Sequence, residues 1–266
     1  MPVGAGKAAS RCGERSTTAE QVMQNETDAQ VTGRYRAYLL RIDSASDPAV
    51  LERRCTAAVR GGFDGVELAI SEGAAEGWRF PENAPTLPVR AVAIRWLTLD
   101  VTATVDQLAA FLPRAATWGA TSVNLTPPPV APQGDEVGFA RYQEGLNFAF
   151  QLLHGIRYEA EATGVTVAVE AARGGCLLSP VEVREIVDQA NSWAVGACLD
   201  IEHIRRIGSA DDWITTLGRR VLSVRAPIAD TTEASRIRAT LAPLLSATDS
   251  ASPSAAMIAV PATGDP

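Results

Sequence analysis

The chain has 266 residues, 46% of them hydrophobic, and a formal net charge of −7. That length buries one large core, and barrels of eight β/α units run to about 250 residues as one domain. The negative charge argues against a nucleic-acid partner, since neutralising phosphate needs a basic face. No apolar run approaches the roughly 20 residues that span a bilayer, and Met1 to Ser10 lack the apolar centre of a secretory signal. A cytoplasmic protein with neither a membrane nor a nucleic acid as partner is the expectation, its oligomeric state left open.

Taken in chain order, residues 1–33 are rich in Ala, Gly, Ser, Thr, Glu and Gln and poor in large apolar side chains. Such a segment buries too little apolar area to offset its ordering entropy, so it reads as a disordered or loosely helical extension to a domain over 34–262. From Tyr38 a regular alternation begins. Strand patterns fall at Tyr38–Ile42, Gly65–Leu68, Val89–Leu97, Ser122–Leu125, Val165–Glu170, Val195–Asp200, Val221–Val224 and Ala256–Val260. Helical patterns fall at Pro48–Arg60, Thr104–Trp118, Phe139–Thr163, Pro180–Asn191, Asp211–Leu217 and Glu233–Leu245. Ser179-Pro180 and Asp47-Pro48 place proline where it fits a first helical turn, and Gly61-Gly62 and Gly164 mark exits. Between Leu68 and Val89, Gly, Pro and Trp read as a long loop. Eight strands in β-α alternation favour an α/β fold, a (β/α)₈ TIM barrel, over an open doubly wound sheet. No helix pattern follows the eighth strand, so the ring of helices is expected to be incomplete at the C-terminal helix. No glycine-rich phosphate-binding motif follows a strand.

The stretch from Gly164 to Asp230 carries the chemistry. Three short Val- and Ala-rich runs end on charged residues: Val-Ala-Val-Glu170, Ala-Cys-Leu-Asp200 and Leu-Ser-Val-Arg225. Buried parallel strands read as continuous apolar runs, and barrels keep functional groups at the C-terminal strand ends. Glu170 and Asp200 ending two such strands favour an inward-facing pair over ordinary solvent-facing charges. Glu67 also ends an apolar strand, where it either faces the barrel mouth or anchors the next loop. Asn124 and Thr126 alternate on the fourth strand, pointing inward or forming the turn before Pro127-Pro-Pro129. Arg173-Gly-Gly175 is a flexible loop or, less favoured, a phosphate site. Trp78, Trp96 and Trp118 read as packing residues, with Trp96 the one placed to floor a sugar site. The four cysteines show no C-x-x-C spacing, and Cys198 reads as a small core hydrophobe in a reduced chain.

Gly62-Phe-Asp-Gly-Val-Glu67-Leu, Gly164-Val-Thr-Val-Ala-Val-Glu170, Leu199-Asp200-Ile-Glu-His203 and Gly218-Arg-Arg-Val-Leu-Ser-Val together resemble the xylose-isomerase-like barrels of the sugar phosphate isomerase/epimerase group. The resemblance runs from about Tyr38 to Asp230, with a fainter continuation to Val260. It implies one divalent metal (Mn, Mg or Zn) at the barrel top. The implied ligands are a Glu ending strand five, an Asp ending strand six, a His on strand seven and a Glu ending strand eight. The two glutamates would also move protons on the sugar carbon. By position, Glu170 and Asp200 match the first two ligands, and His203 matches the substrate-holding histidine of a D-x-x-H motif. The chain departs from the pattern on the other two strands. Strand seven has Val224-Arg225 where the family has Val-His, and strand eight ends at Val260-Pro261 without a Glu. Its two histidines are His154, in a helical pattern, and His203.

A guanidinium has five donors and no lone pair, so Arg225 cannot ligate a metal and its charge repels one. It can pair with carboxylates that would otherwise crowd each other. A cluster of Glu170, Asp200 and Arg225 is therefore expected, with His203 and Glu67 at its rim, Glu170 keeping the family's proton-transfer position and no metal bound. The resemblance then implies a barrel that has lost metal-dependent isomerase activity and retains a ligand-binding or structural role, with a small sugar or sugar acid as ligand. The alternative is an active isomerase or epimerase with a metal-free or reassigned site. A multi-zinc endonuclease of the related abasic-site group would need more histidines and a cationic face.

Overall fold

The Val- and Ala-rich runs form parallel strands because each is buried on both faces, one turned to the barrel interior and the other to a covering layer. The computed structural model describes residues 38–43, 53, 56, 65–71, 89–95, 99–130, 140–171, 174–228 and 256–261. Within them the strands are β1 (Tyr38–Asp43), β2 (Gly65–Ser71), β3 (Val89–Arg95), β4 (Ser122–Thr126), β5 (Thr166–Glu170), β6 (Val195–Asp200), β7 (Val221–Ile228) and β8 (Ala256–Pro261). They pair in sequence order and close into a barrel through β8 and β1, with Leu39 opposite Ile258. The open-sheet alternative is thereby excluded. Each expected strand is present, with ends that differ by at most a few residues.

The helices are α1 (Val101–Thr117), α2 (Tyr142–Thr163), α3 (Pro180–Ala190), α4 (Ile201–Ile207) and α5 (Ala210–Leu217). Their buried residues recur at helical spacing: Leu108, Phe111, Leu112 and Ala115 on α1, and Leu152, Leu153, Ile156 and Ala160 on α2. Those stripes meet the outer faces of the strands in one continuous core. Trp118 packs edge-to-face on Phe111 with centroids 5.6 Å apart. Helix starts follow local chemistry. Asp100 accepts the Ala103 N–H at 3.0 Å, and Ser179 forms a reciprocal box with Glu182 ahead of Pro180. Gly164 ends α2 in the left-handed region at φ 70°.

α4 is absent from the elements read from the sequence. It has seven residues, too few for a periodic pattern, and it starts directly on the last residue of β6, so no loop announces it. The extension over 1–33, the loop after β2 and the Glu233–Leu245 pattern lie outside the described residues; of Pro48–Arg60 only Arg53 and Thr56 are described, both helical.

Two register shifts shape the interior. Between β2 and β3 the pairing shifts at Val66/Glu67, and between β6 and β7 it shifts at Ala197/Cys198. The second leaves Leu222 as the extra residue of β7, since Val221 pairs Ala197 and Ser223 pairs Cys198. Leu222 packs with Ala168 and Cys198 in a small cluster of its own. Gly196 lies beneath it: a Cβ there would sit 2.5 Å from Leu222 Cγ and collide with the Arg220 carbonyl oxygen. Backbone cannot move aside as a side chain can, so Gly196→Ala is expected to destabilise the fold by about 1–3 kcal/mol in chemical denaturation.

Candidate functional site

Seven polar or charged side chains are carried by β2, β4, β5, β6 and β7: Thr126, Glu170 and Asp200 end their strands, whereas Glu67, Asn124, Ser223 and Arg225 lie inside theirs. Period-two alternation sends Asn124 and Thr126 of β4, Ser223 and Arg225 of β7, Glu67 of β2 and Glu170 of β5 to the same side of the sheet. In a closed barrel that side is the lumen, and the hydrogen bonds prove it by joining strands that are not neighbours.

Arg225 is the centre. Its Nη2 donates to Glu67 Oε1 at 2.7 Å and its Nε to Glu67 Oε2 at 3.2 Å, a two-point contact from β7 to β2. Its Nη1 pairs with Glu170 Oε1 on β5. Arg225 is 2% exposed and Glu67 fully buried. Two chains of donors continue from this centre. Asn124 Nδ2 donates to Glu67 Oε1 at 2.7 Å, and Ser223 Oγ donates to Asn124 Oδ1 at 2.7 Å. Thr126 Oγ1 donates to Glu170 Oε2 at 2.6 Å. The network thus runs Ser223, Asn124, Glu67, Arg225, Glu170, Thr126. Burial alone lowers the Arg225 pKa, yet the facing charges of Glu170 and Glu67 carry it well above the usual guanidinium value. The guanidinium stays charged at every relevant pH.

Asp200 sits apart from this network. It pairs with Arg225 in strand register, but its Oδ1 accepts the His203 N–H at 3.1 Å and caps α4. Its side chain is part-buried at the mouth. Burial pushes its carboxyl above the ordinary value, the His203 N–H opposes this, and the charge of Glu170 raises it further. His203 is buried in the first turn of α4. The expected trio of Glu170, Asp200 and Arg225 is therefore corrected. Glu67 holds the place given to Asp200, and it lies at the centre of the cluster instead of its rim. The physical reason is competition: an Asp one residue before a helix is drawn to the free N–H groups of that helix.

Asn124 and Thr126 point inward, and Ser223 joins them unannounced. Its signal in the sequence was period two alone, two residues before Arg225. Gly174 uses its carbonyl to accept the Val130 N–H at 2.8 Å, tying the loops that follow β4 and β5, while Arg173 lies outside the described residues. Trp78 and Trp96 also lie outside them. Cys176 and Cys198 are buried free thiols, each pushed up to about 12 chiefly by burial, so neither is a nucleophile at neutral pH. His154 is exposed on α2, remote from the site.

Comparison with known proteins places this geometry. A family model described as "Xylose isomerase-like TIM barrel" matches residues 98–232, just over half of the chain. No curated protein matches the sequence. Among solved structures, the chain is similar to D-psicose 3-epimerase with D-tagatose from Clostridium cellulolyticum H10. The TM-score is 0.62 at 12% identity, covering 84% of each chain. It is also similar to 3-keto-D-glucoside 4-epimerase YcjR from E. coli in its apo form. There the TM-score is 0.61 at 12% identity, covering 86% of this chain and 94% of that one. A third is the IolI protein with a bound zinc atom, with a TM-score of 0.53 at 15% identity over 84% and 88% of the two chains.

The described residues alone do not assemble a ligand set for the family's divalent cation. Among the described residues no group of three or more His, Cys, Asp or Glu side chains is placed to hold a metal. Glu170, the strand-five carboxylate, is engaged by Arg225 on one oxygen and Thr126 on the other. Asp200 has one oxygen committed to α4.

Two variants test this arrangement. Arg225→Met leaves Glu67 and Glu170 buried without their cation. It is expected to lose about 3–5 kcal/mol at neutral pH in chemical denaturation. The two facing carboxylates then raise the pKa of one of them in the folded state, so stability falls as pH rises through that value and returns in part below about pH 5. Asp200→Asn keeps the helix cap and removes the charge. Because the folded Asp200 carboxyl holds its proton more tightly than the unfolded one, its ionised form costs stability above the carboxylate range. The variant should therefore melt higher than wild type at pH 7, with the gap closing as pH falls towards 4.

Proposed function

The chain belongs to the xylose isomerase-like TIM barrel family, and we propose that it binds a neutral polyhydroxylated ligand at the barrel mouth without metal-dependent isomerisation. The observation that carries the proposal is the Arg225 guanidinium held between Glu67 and Glu170. It supplies the positive charge those carboxylates need and offers no open coordination position. Asp200 lies beside this cluster, half-buried, with one oxygen turned to α4. Carboxylates accept hydrogen bonds from sugar hydroxyls and disfavour phosphate and carboxylate groups on a ligand. Sugars are also the ligands named for similar structures: D-tagatose, D-allulose and D-fructose.

A second reading, an epimerase working without metal, draws on one observation. Asp200 and Glu170 end neighbouring strands, and the raised Asp200 pKa lets it hold a proton to higher pH than an ordinary aspartate. In that reading Glu170 would take the proton and Asp200 return it.

Calorimetry and NMR separate the readings. Mn²⁺, Mg²⁺ and Zn²⁺ titrations are expected to show no tight stoichiometric binding. D-Tagatose should bind saturably in the presence of EDTA, and D-tagatose 6-phosphate at least about tenfold more weakly. Tight metal binding that Glu170→Gln abolishes, together with metal-dependent conversion of the sugar, would overturn the proposal. Conversion in EDTA that Asp200→Asn abolishes would favour the second reading.

A further inference from the structure

A concavity of about 280 Å³ lies at the opposite end of the barrel from Glu170 and Asp200. Its walls are the C-terminal turn of α3, the start of β6 and the short 3₁₀ turn Gly218–Arg220 that leads into β7. The floor is apolar, formed by Val187, Val195 and Leu222, each almost fully buried. One wall is Trp193, a residue 53% exposed.

Two arginines stand on the rim, in different states. Arg220 is fixed: its Nη2 donates to Asp188 Oδ2 at 2.8 Å, its Nε pairs with Asp188 Oδ1, and its Nη1 donates to the Leu217 carbonyl at 3.3 Å. The carboxylate of Asp188 is thereby spent. Arg219, the adjacent residue, lines the same recess, is exposed, and forms no ion pair among the described residues. The floor is rigid because Gly196 lets the Arg220 carbonyl and Leu222 pack directly against β6.

We infer that this recess is a second ligand site, specific for a small planar aromatic carboxylate. The ring lies on the Val187, Val195 and Leu222 floor against the Trp193 indole, and the carboxylate meets the Arg219 guanidinium. The recess is close to the lower end of volumes typical of small-molecule sites, which sets the ligand at one or two rings. The site uses no residue of the barrel mouth, so it stands or falls independently of the function proposed above.

The test is calorimetric titration of the full chain with indole-3-carboxylate and its neutral analogue indole-3-carboxamide. Wild type should bind the carboxylate saturably with one site per chain, and the carboxamide roughly tenfold more weakly, the size of one charge-assisted contact. Arg219→Gln should weaken the carboxylate by about the same factor and leave the carboxamide unchanged. Trp193→Ala should weaken both. Both side chains are exposed, so melting temperatures should stay within a degree or two of wild type. No saturable binding at millimolar concentration overturns the inference, as does binding indifferent to Arg219→Gln and Trp193→Ala.

Discussion

One guanidinium sets the interior of this protein. Arg225 is almost wholly removed from water and has two glutamates from different strands as its counter-ions. Taking such an ion out of water costs several kcal/mol, which its partners offset only when geometry and hydrogen bonding are complete. The rest of the cluster follows from that demand. Among the described residues, Glu67 receives N–H contacts from Asn124 and twice from Arg225, and Glu170 receives a hydroxyl contact from Thr126. Asn124 can orient its amide towards Glu67 only because Ser223 takes up its carbonyl side. Removing any member exposes another to an unpaired, buried state. β2, β4, β5 and β7 are thus linked through the lumen as well as through their edges.

On the function proposed above, the Arg225 guanidinium stands where the family resemblance implies a metal. A metal ion and a guanidinium both answer the need of crowded carboxylates for positive charge, but they answer it differently. A metal keeps exchangeable positions where a substrate oxygen is polarised, whereas a guanidinium neutralises at fixed distance through donors alone and is tied to its strand. The carboxylates it occupies have correspondingly less freedom to act as bases. Of the cluster and its neighbour Asp200, only Thr126 and Asp200 keep partial exposure around a closed ionic centre.

How much of this was legible in the sequence differs between scaffold and site. The eight strands were readable because parallel barrel strands are apolar on both faces, and the longer helices because Leu108, Leu112, Leu152 and Ile156 repeat at helical spacing. Ser179-Pro180 and Gly164 marked helix ends through local chemistry that needs no tertiary context. α4 escaped because seven residues carry no period. The charged ends of β5 and β6 were readable, whereas Glu67 and Arg225, expected at strand ends, lie inside β2 and β7; which carboxylate meets Arg225 was not readable. That choice turns on strand geometry across the lumen, where bulges at Val66/Glu67 and Ala197/Cys198 shift the pairing by one residue. Sequence spacing holds no record of distances across the lumen between strands such as β2 and β7, three positions apart in the ring.

Asp200 shows how a local preference overrides a long-range one. An aspartate at the end of β6 has two possible partners, the buried guanidinium on β7 and the N–H groups that open α4. The helix begins at the next residue, so meeting its amides requires almost no reach, and the cap also places a negative charge at the positive end of the helix dipole. Arg225, already paired twice, gains little from a third anion and would draw a further charge out of water. The carboxylate therefore remains half-buried at the mouth, where burial and the neighbouring Glu170 raise its pKa against the pull of the His203 N–H. An anion held in that way is the group at the mouth most easily altered by a ligand. A hydroxyl donor arriving beside Asp200 relieves its desolvation, whereas the Glu67–Arg225–Glu170 centre is already satisfied and gains little from further contacts.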